Sequence, residues 1–277
     1  MDDAELRDLA ERIGGVKGVV GVLLGGSRAR GSHTASSDYD LGIYYRRPLD
    51  LEGLRQLARA VAGEDATLTD LGGWGPWVDG GGWLTVSGSH VDWIYRDADR
   101  VQQAWADAKA GRFYFHGQVG HPLGVPDFAY AGEVALGKVL ADATGELSNL
   151  KGAATDYPPR LAQAVVARLS EATFLIGGAR KGAERADAAY VAGCLFRVVG
   201  LCAHAIHANA GRWLINEKGA IDACSDLVGA PLEFATRAHG LFPRVRTVSA
   251  DLHSALDDAQ DLVNDTSALC SGGRGDD

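Results

Sequence analysis

The sequence predicts an α+β fold: an N-terminal mixed sheet with helices, followed by a C-terminal helical bundle. Three observations predict it. Apolar and β-branched runs bounded by glycine, serine and aspartate recur between residues 18 and 95, as strands require. Beyond residue 130 these runs give way to alanine-rich segments with apolar residues at helical spacing. The 277 residues, 46% hydrophobic and 23% charged, are enough for one large domain or two small ones sharing a cleft.

Each element follows in order. Leu6, Leu9, Ala10 and Ile13 recur at helical spacing over residues 2–13. The apolar run from Gly18 to Leu24 ends in Gly25-Gly26 and reads as a buried strand. Leu41, Ile43 and Tyr45 alternate over a second strand, 39–45, and Asp50 starts a helix over 51–61. Residues 83–86 and 90–95 flank Ser87-Gly88-Ser89 as a hairpin, and Asp97 caps a helix reaching Lys109. Between them, 72–82 is glycine-rich and holds Trp74 and Trp77, with Trp83 next. It is either a cover for a binding site or a surface loop with a local apolar cluster. In the second half, helices are expected over 132–141, 158–176, 185–209, 231–239 and 247–264, with Gly177-Gly178 and Gly182 as separators. Pro158-Pro159 stands at a helix start, where proline is tolerated. The expected domains are 1–130 and 131–268, with 269–277 a disordered tail.

Composition narrows the partners. A net charge of -9 disfavours a long nucleic acid, since the densest basic stretch is only Arg28, Arg30 and Arg46-Arg47. It suits a small, cationic molecule, or merely keeps the chain in solution. Cys194, Cys202, Cys224 and Cys270 show neither Cys-x-x-Cys nor zinc-finger spacing, so a reducing compartment is expected. The start, Met1-Asp2-Asp3, is acidic, unlike a signal peptide. No apolar run of about 18 residues stands out, so no membrane contact is expected and the expected location is the cytoplasm.

The chemistry concentrates in residues 25–40. A strand delivers the chain to Gly26-Ser27, where glycine admits a ligand close to the backbone, a following helical turn offers N–H groups to an anion, and Ser27 adds a hydroxyl. Asp38 and Asp40 flank Tyr39 on a predicted strand, so both carboxylates share a face and repel unless a cation lies between them. Asp92 is a single acid in an apolar strand, a costly placement that a shared metal site would explain.

This arrangement resembles the DNA-polymerase-β-like nucleotidyltransferase superfamily: Gly26-Ser27, a ten-residue spacer (28–37), Asp38-Tyr39-Asp40 on the next strand, and a third aspartate, Asp92, on a later one. The likeness covers roughly residues 15–100. The helical half is more loosely similar to the small-molecule branch, which includes aminoglycoside and lincosamide nucleotidyltransferases, through the stretch Asn209–Lys218. The resemblance implies transfer of a nucleoside monophosphate, expected to be AMP, from an NTP to a hydroxyl of a small acceptor such as an antibiotic, with release of pyrophosphate. It implies Asp38, Asp40 and Asp92 as catalytic residues and ligands of two Mg2+ ions. Gly26, Ser27, Ser37 and Lys218 are the implied nucleotide-binding residues, with ATP as the expected substrate. Asp92 or Glu133, a helical-domain acid, is a candidate general base, and the site is expected in a cleft between the halves.

Other readings are weaker. A toxin–antitoxin role, binding a partner or marking a protein or tRNA, fits poorly because the small antitoxin members are usually much shorter. Gly25-Gly26-Ser27-Arg28-Ala29 nearly matches a hydrolase elbow, but only one strand precedes it and the three aspartates go unused. No P-loop or dinucleotide fingerprint is present. His204 and His207 lie in the apolar run Val198–Ala210 and read as core histidines.

Overall fold

Asp2 starts the first helix, α1 (Asp3–Gly14), through a capping box: its carboxylate accepts from the backbone N–H of Ala4 and Glu5, and Glu5 reaches back. The computed structural model describes residues 1–272 except Ser32, Ala35 and Val228. The described chain falls into two units: Met1–Asp107 with Tyr114–Asp156, and Ala108–Phe113 with the residues from Tyr157 onward.

In the first unit α1 is followed by β1 (Val19–Leu24), α2 (Gly26–Arg30), β2 (Tyr39–Tyr45) and α3 (Leu51–Ala62), whose start Asp50 caps by accepting from Gly53 N–H. A two-residue turn, Ser87-Gly88, joins β3 (Gly81–Val86) to β4 (Ser89–Asp97). Asp97 Oδ1 accepts from the N–H groups of Asp99 and Arg100 and so opens α4 (Ala98–Lys109). A separate hairpin, β5 (Phe115–Gln118) and β6 (His121–Pro126), leads to α5 (Ala129–Leu136), β7 (Lys138–Ala141) and α6 (Glu146–Ala154).

The main sheet has the order β3-β4-β2-β1-β7. Only β2 and β4 run parallel; the other neighbours are antiparallel. Alternation sorts its two faces. One face sends Val22, Leu24, Leu41, Ile43, Tyr45, Val91, Trp93 and Tyr95 into a core closed by Leu9 and Ile13 of α1 and Leu54 and Ala58 of α3. The intervening residues, Asp40 and Asp92 among them, therefore face the other way.

The second unit contains α7 (Pro159–Ala167), α8 (Leu169–Glu184), α9 (Ala188–Asn209), α10 (Ala220–Ala223), α11 (Phe234–Leu241) and α12 (Ser249–Gly272). His204 and His207 are buried in α9, and all four cysteines are buried.

The structure departs from the sequence expectations at several points. The helix expected over 132–141 ends at Leu136; Gly137 turns extended, and β7 pairs with β1, Leu23 opposite Val139. That strand covers what would be a bare edge, and it carries the first unit past residue 130 to Asp156. The expected helix 158–176 breaks at Arg168, and α8 then runs straight through Gly177, Gly178 and Gly182. A Cβ on Gly182 would lie 2.8 Å from the Tyr190 ring, so this glycine lets α9 pack closely rather than separating helices. α9 is long and apolar enough to cross a membrane, and most of that apolar stretch is buried within the structure. α12 extends to Gly272, so the tail expected from 269 begins helical, and 273–277 lie outside the described residues.

Candidate active site

The site grows from the end of β1. Leu24 delivers the chain to Gly25, whose N–H donates to the carbonyl of Asp40 at 2.7 Å. Gly26 then adopts a left-handed φ of +61°, and a Cβ there would lie 1.8 Å from Asp40 Oδ2. Sequence reasoning assigned this glycine to the approach of a ligand. The group it approaches in the structure is the Asp40 carboxylate itself.

The segment between α2 and β2 is tied from within. Arg28 donates from Nε and Nη2 to the carbonyl of Ser37 at 2.9 and 2.7 Å, and its guanidinium lies 3.8 Å from the Tyr39 ring centroid. Tyr39 in turn donates from its hydroxyl to the carbonyl of Met1. Ser37 Oγ accepts from Thr34 N–H at 3.0 Å. Ser37 thus holds the loop in shape, and Ser27 lies half-buried in the first turn of α2.

Asp38 stands exposed just before β2, one residue short of the strand on which it was expected. Asp40 and Asp92 are direct neighbours in the parallel register of β2 and β4. Register partners point to one face, roughly 5 Å apart at the backbone. Burial raises the Asp40 pKa, and the charges of Glu133 and Asp38 raise it further against the pull of Arg30 and Arg96. Asp92 is pushed up to about 6 by burial, then by Asp40 and Asp38. The three aspartates therefore form one electrostatic group, although among the described residues no three of His, Cys, Asp and Glu are gathered tightly enough to enclose a metal ion.

Glu133 was expected as a helical-domain acid. It belongs to α5 of the first unit, and its carboxylate meets Arg96 at 2.8 Å with both side chains largely buried. The ion pair with Arg96 occupies the Glu133 carboxylate. Lys218 belongs to the second unit, exposed in the turn before α10, with its N–H donating to Asn216 Oδ1.

Three features escaped sequence reasoning. Arg96 lies four residues beyond Asp92 on the same strand, hence on the same face, which period-two counting could have found. The Arg28 clamp on Ser37 left no signal, because it spans a loop. Trp83 pairs directly with Asp92 across the β3–β4 hairpin, because the turn is the two residues Ser87-Gly88; the three-residue turn expected from the sequence would have set Trp83 opposite Trp93.

The comparisons bear on this unit. Residues 5–68 match the family model described as a nucleotidyltransferase domain, a stretch that holds Gly26, Ser27, Asp38 and Asp40 and ends before Asp92. That match supports nucleotidyl transfer as the general chemistry. Among solved structures, a nucleotidyltransferase-like protein from Exiguobacterium sibiricum is similar at 12% identity and a TM-score of 0.48, over 96% of this chain and 77% of that one. No curated protein matches the chain.

Proposed function

We propose that the first unit transfers a nucleoside monophosphate, AMP by preference, from an NTP to a hydroxyl of a small acceptor, releasing pyrophosphate. The observation that carries this reading is the register pair Asp40 and Asp92, side by side on the face away from the core, with Gly26 closed against Asp40.

Hard carboxylate oxygens whose charges repel one another suit a divalent cation: the register pair Asp40 and Asp92 would hold Mg2+, with Asp38 the third acid assigned to it and the remaining positions left to water and phosphate. Bound there, the metal would neutralise the charge that develops on the phosphates. The chain's own groups do the rest. Gly26 and Ser27 border the triphosphate, and Ser37 with Arg28 holds their loop in place. Asp92 accepts the proton of the acceptor hydroxyl as its oxygen bonds to the α-phosphorus. The bond from that phosphorus to the bridging oxygen breaks, and pyrophosphate leaves with the electron pair. The acidic balance of the chain, with a net charge of -9, favours an acceptor bearing positive charge.

The test is a screen of α-labelled NTPs with candidate hydroxylated acceptors, read by the mass shift of the acceptor and by pyrophosphate release. A shift of one nucleoside monophosphate that needs Mg2+ supports the reading. NTP turnover that releases only inorganic phosphate would reject it.

A further inference from the structure

Trp83 is the most exposed indole that the fold deliberately supports. It projects from β3 with 73% of its surface open, a position where a tryptophan serving only stability would be covered. One side of it is backed: Trp74 stacks on it with ring centroids 4.6 Å apart and planes 23° from parallel. Trp74 sits in the glycine-rich loop, and that loop is fastened. Gln118 donates from Nε2 to the Trp74 carbonyl at 2.6 Å and accepts at Oε1 from the N–H groups of Trp77 and Val78. Arg100 donates to the carbonyl of Pro76 at 2.6 Å, and the Tyr130 hydroxyl donates to that of Trp77. Gly81 keeps β3 close to β4, since a Cβ there would lie 1.7 Å from the Trp93 carbonyl oxygen and 3.1 Å from Trp74 Cη2. Two indoles are thus held in a fixed stack with one face presented to solvent.

The position of this stack is set by strand register. Trp83 is the direct antiparallel partner of Asp92, and Asp92 is the direct parallel partner of Asp40. Register partners share a face, so Asp40, Asp92 and Trp83 form a row across the sheet at roughly 5 Å per strand, and Gly26 lies against Asp40 at its far end. Resting on the nucleotidyl-transfer reading, the row has a direction. In-line displacement puts the attacking oxygen and the leaving pyrophosphate on opposite sides of the α-phosphorus. With pyrophosphate at the Gly26 end, the acceptor lies at the Trp83 end.

We propose that Trp83, backed by Trp74, is the acceptor shelf: it stacks against a flat ring of the acceptor and so places a hydroxyl on or next to that ring beside Asp92. The chemical class of acceptor that follows is a hydroxylated ring compound with one apolar face, aromatic or sugar, and not an open-chain alcohol. The donor base lies elsewhere.

The experiment uses the full chain as wild type, Trp83→Ala and Trp83→Phe, with three probes: phenyl β-D-glucopyranoside, glycerol, and the α,β-methylene analogue of ATP with Mg2+. Binding is read by calorimetry and by quenching of tryptophan emission. Because Trp83 is exposed, circular dichroism should show all three proteins equally folded. The expected result is saturable binding of the glucoside but not of glycerol. Trp83→Ala should weaken the glucoside about tenfold or more, in line with loss of a stacking face, while Trp83→Phe retains most of it. Affinity for the ATP analogue should be the same in all three. Loss of the analogue in Trp83→Ala, with the glucoside unaffected, would make the stack a base-binding shelf and overturn the proposal. So would a wild type that binds the glucoside no better than glycerol. If the wild type fails to bind the analogue at all, the nucleotidyl-transfer reading falls and takes the acceptor role with it; glucoside binding lost in Trp83→Ala would then mark a ring-binding surface of another kind.

Discussion

The two faces of the main sheet are built from alternate residues of the same strands, and they do opposite work. On the face packed by α1 and α3, Leu41, Ile43, Val91, Trp93 and Tyr95 are buried without charge. On the other face, Asp40 and Asp92 bring like charges into register, and Arg96 is buried against Glu133. Burial of apolar surface stabilises the fold, whereas crowding carboxylates opposes it. The first face therefore holds the second in a geometry it would not adopt on its own. Neighbouring positions such as Leu41 and Asp40, or Trp93 and Asp92, should answer mutation in different observables.

The largest effect expected is on the packed face. Trp93→Ala removes a fully buried indole and should cost about 3–5 kcal/mol, seen as a fall in the denaturant midpoint. Asp92→Asn, one residue earlier, should leave that midpoint unchanged or raise it in metal-free buffer, because it relieves repulsion. If both variants lose stability alike, the division of labour between the faces is wrong.

Next comes the ion pair on the open face. Glu133→Gln leaves Arg96 buried with a neutral partner, so a loss of about 3 kcal/mol is expected in thermal or urea unfolding. Double replacement of Arg96 and Glu133 by apolar residues should recover much of that loss while activity stays low, since Arg96 also tempers the charge of Asp40.

A smaller effect is expected at Gly26. The added methyl of Gly26→Ala collides with Asp40 Oδ2 and must displace the carboxylate. A displacement near 1 Å costs turnover on the order of 100-fold, with the loss in kcat and the fold retained. A change confined to KM for NTP would instead mean that the glycine serves the phosphates and not Asp40.

The effect that is smallest at neutral pH, and grows only as pH falls, belongs to the buried histidine of α9. His204 is held down to about 3 by burial, then by His207 and Arg197. Its folded pKa lies below the ordinary value near 6.5, so between pH 6.5 and 3 the unfolded chain binds a proton that the folded chain refuses. Stability should therefore fall as pH falls through that window, by up to about 1.4 kcal/mol per pH unit from this group. His204→Asn should flatten the slope, measured by urea unfolding at several pH values.

Much of this was legible in the sequence, for reasons that are local. Capping by Asp50 and Asp97, the apolar run of β1 and the alternation of β2 marked those elements, and the β3–β4 hairpin was expected with a turn one residue longer than the structure has. β7 was not legible: its four residues follow a short alanine-containing helix, and only pairing with β1 makes them a strand. The β5–β6 hairpin was missed because Gly117, Gly120, Pro122 and Gly124 mask any alternation. At the site, the sequence grouped Asp38, Asp40 and Asp92 by spacing. The partners that act across strands or loops, Gly26 against Asp40 and Glu133 against Arg96, appear only when the chain is folded.

The central claim is that the Asp40–Asp92 pair performs nucleotidyl transfer, and its most direct test is Asp40→Asn assayed with Mg2+ and α-labelled NTP beside the wild type. The fold should be intact, with unfolding unchanged or slightly stabilised in metal-free buffer, and transfer should fall by on the order of 100- to 1,000-fold or more. Transfer by Asp40→Asn at the wild-type rate, in a protein that unfolds at the same denaturant concentration, would contradict the account.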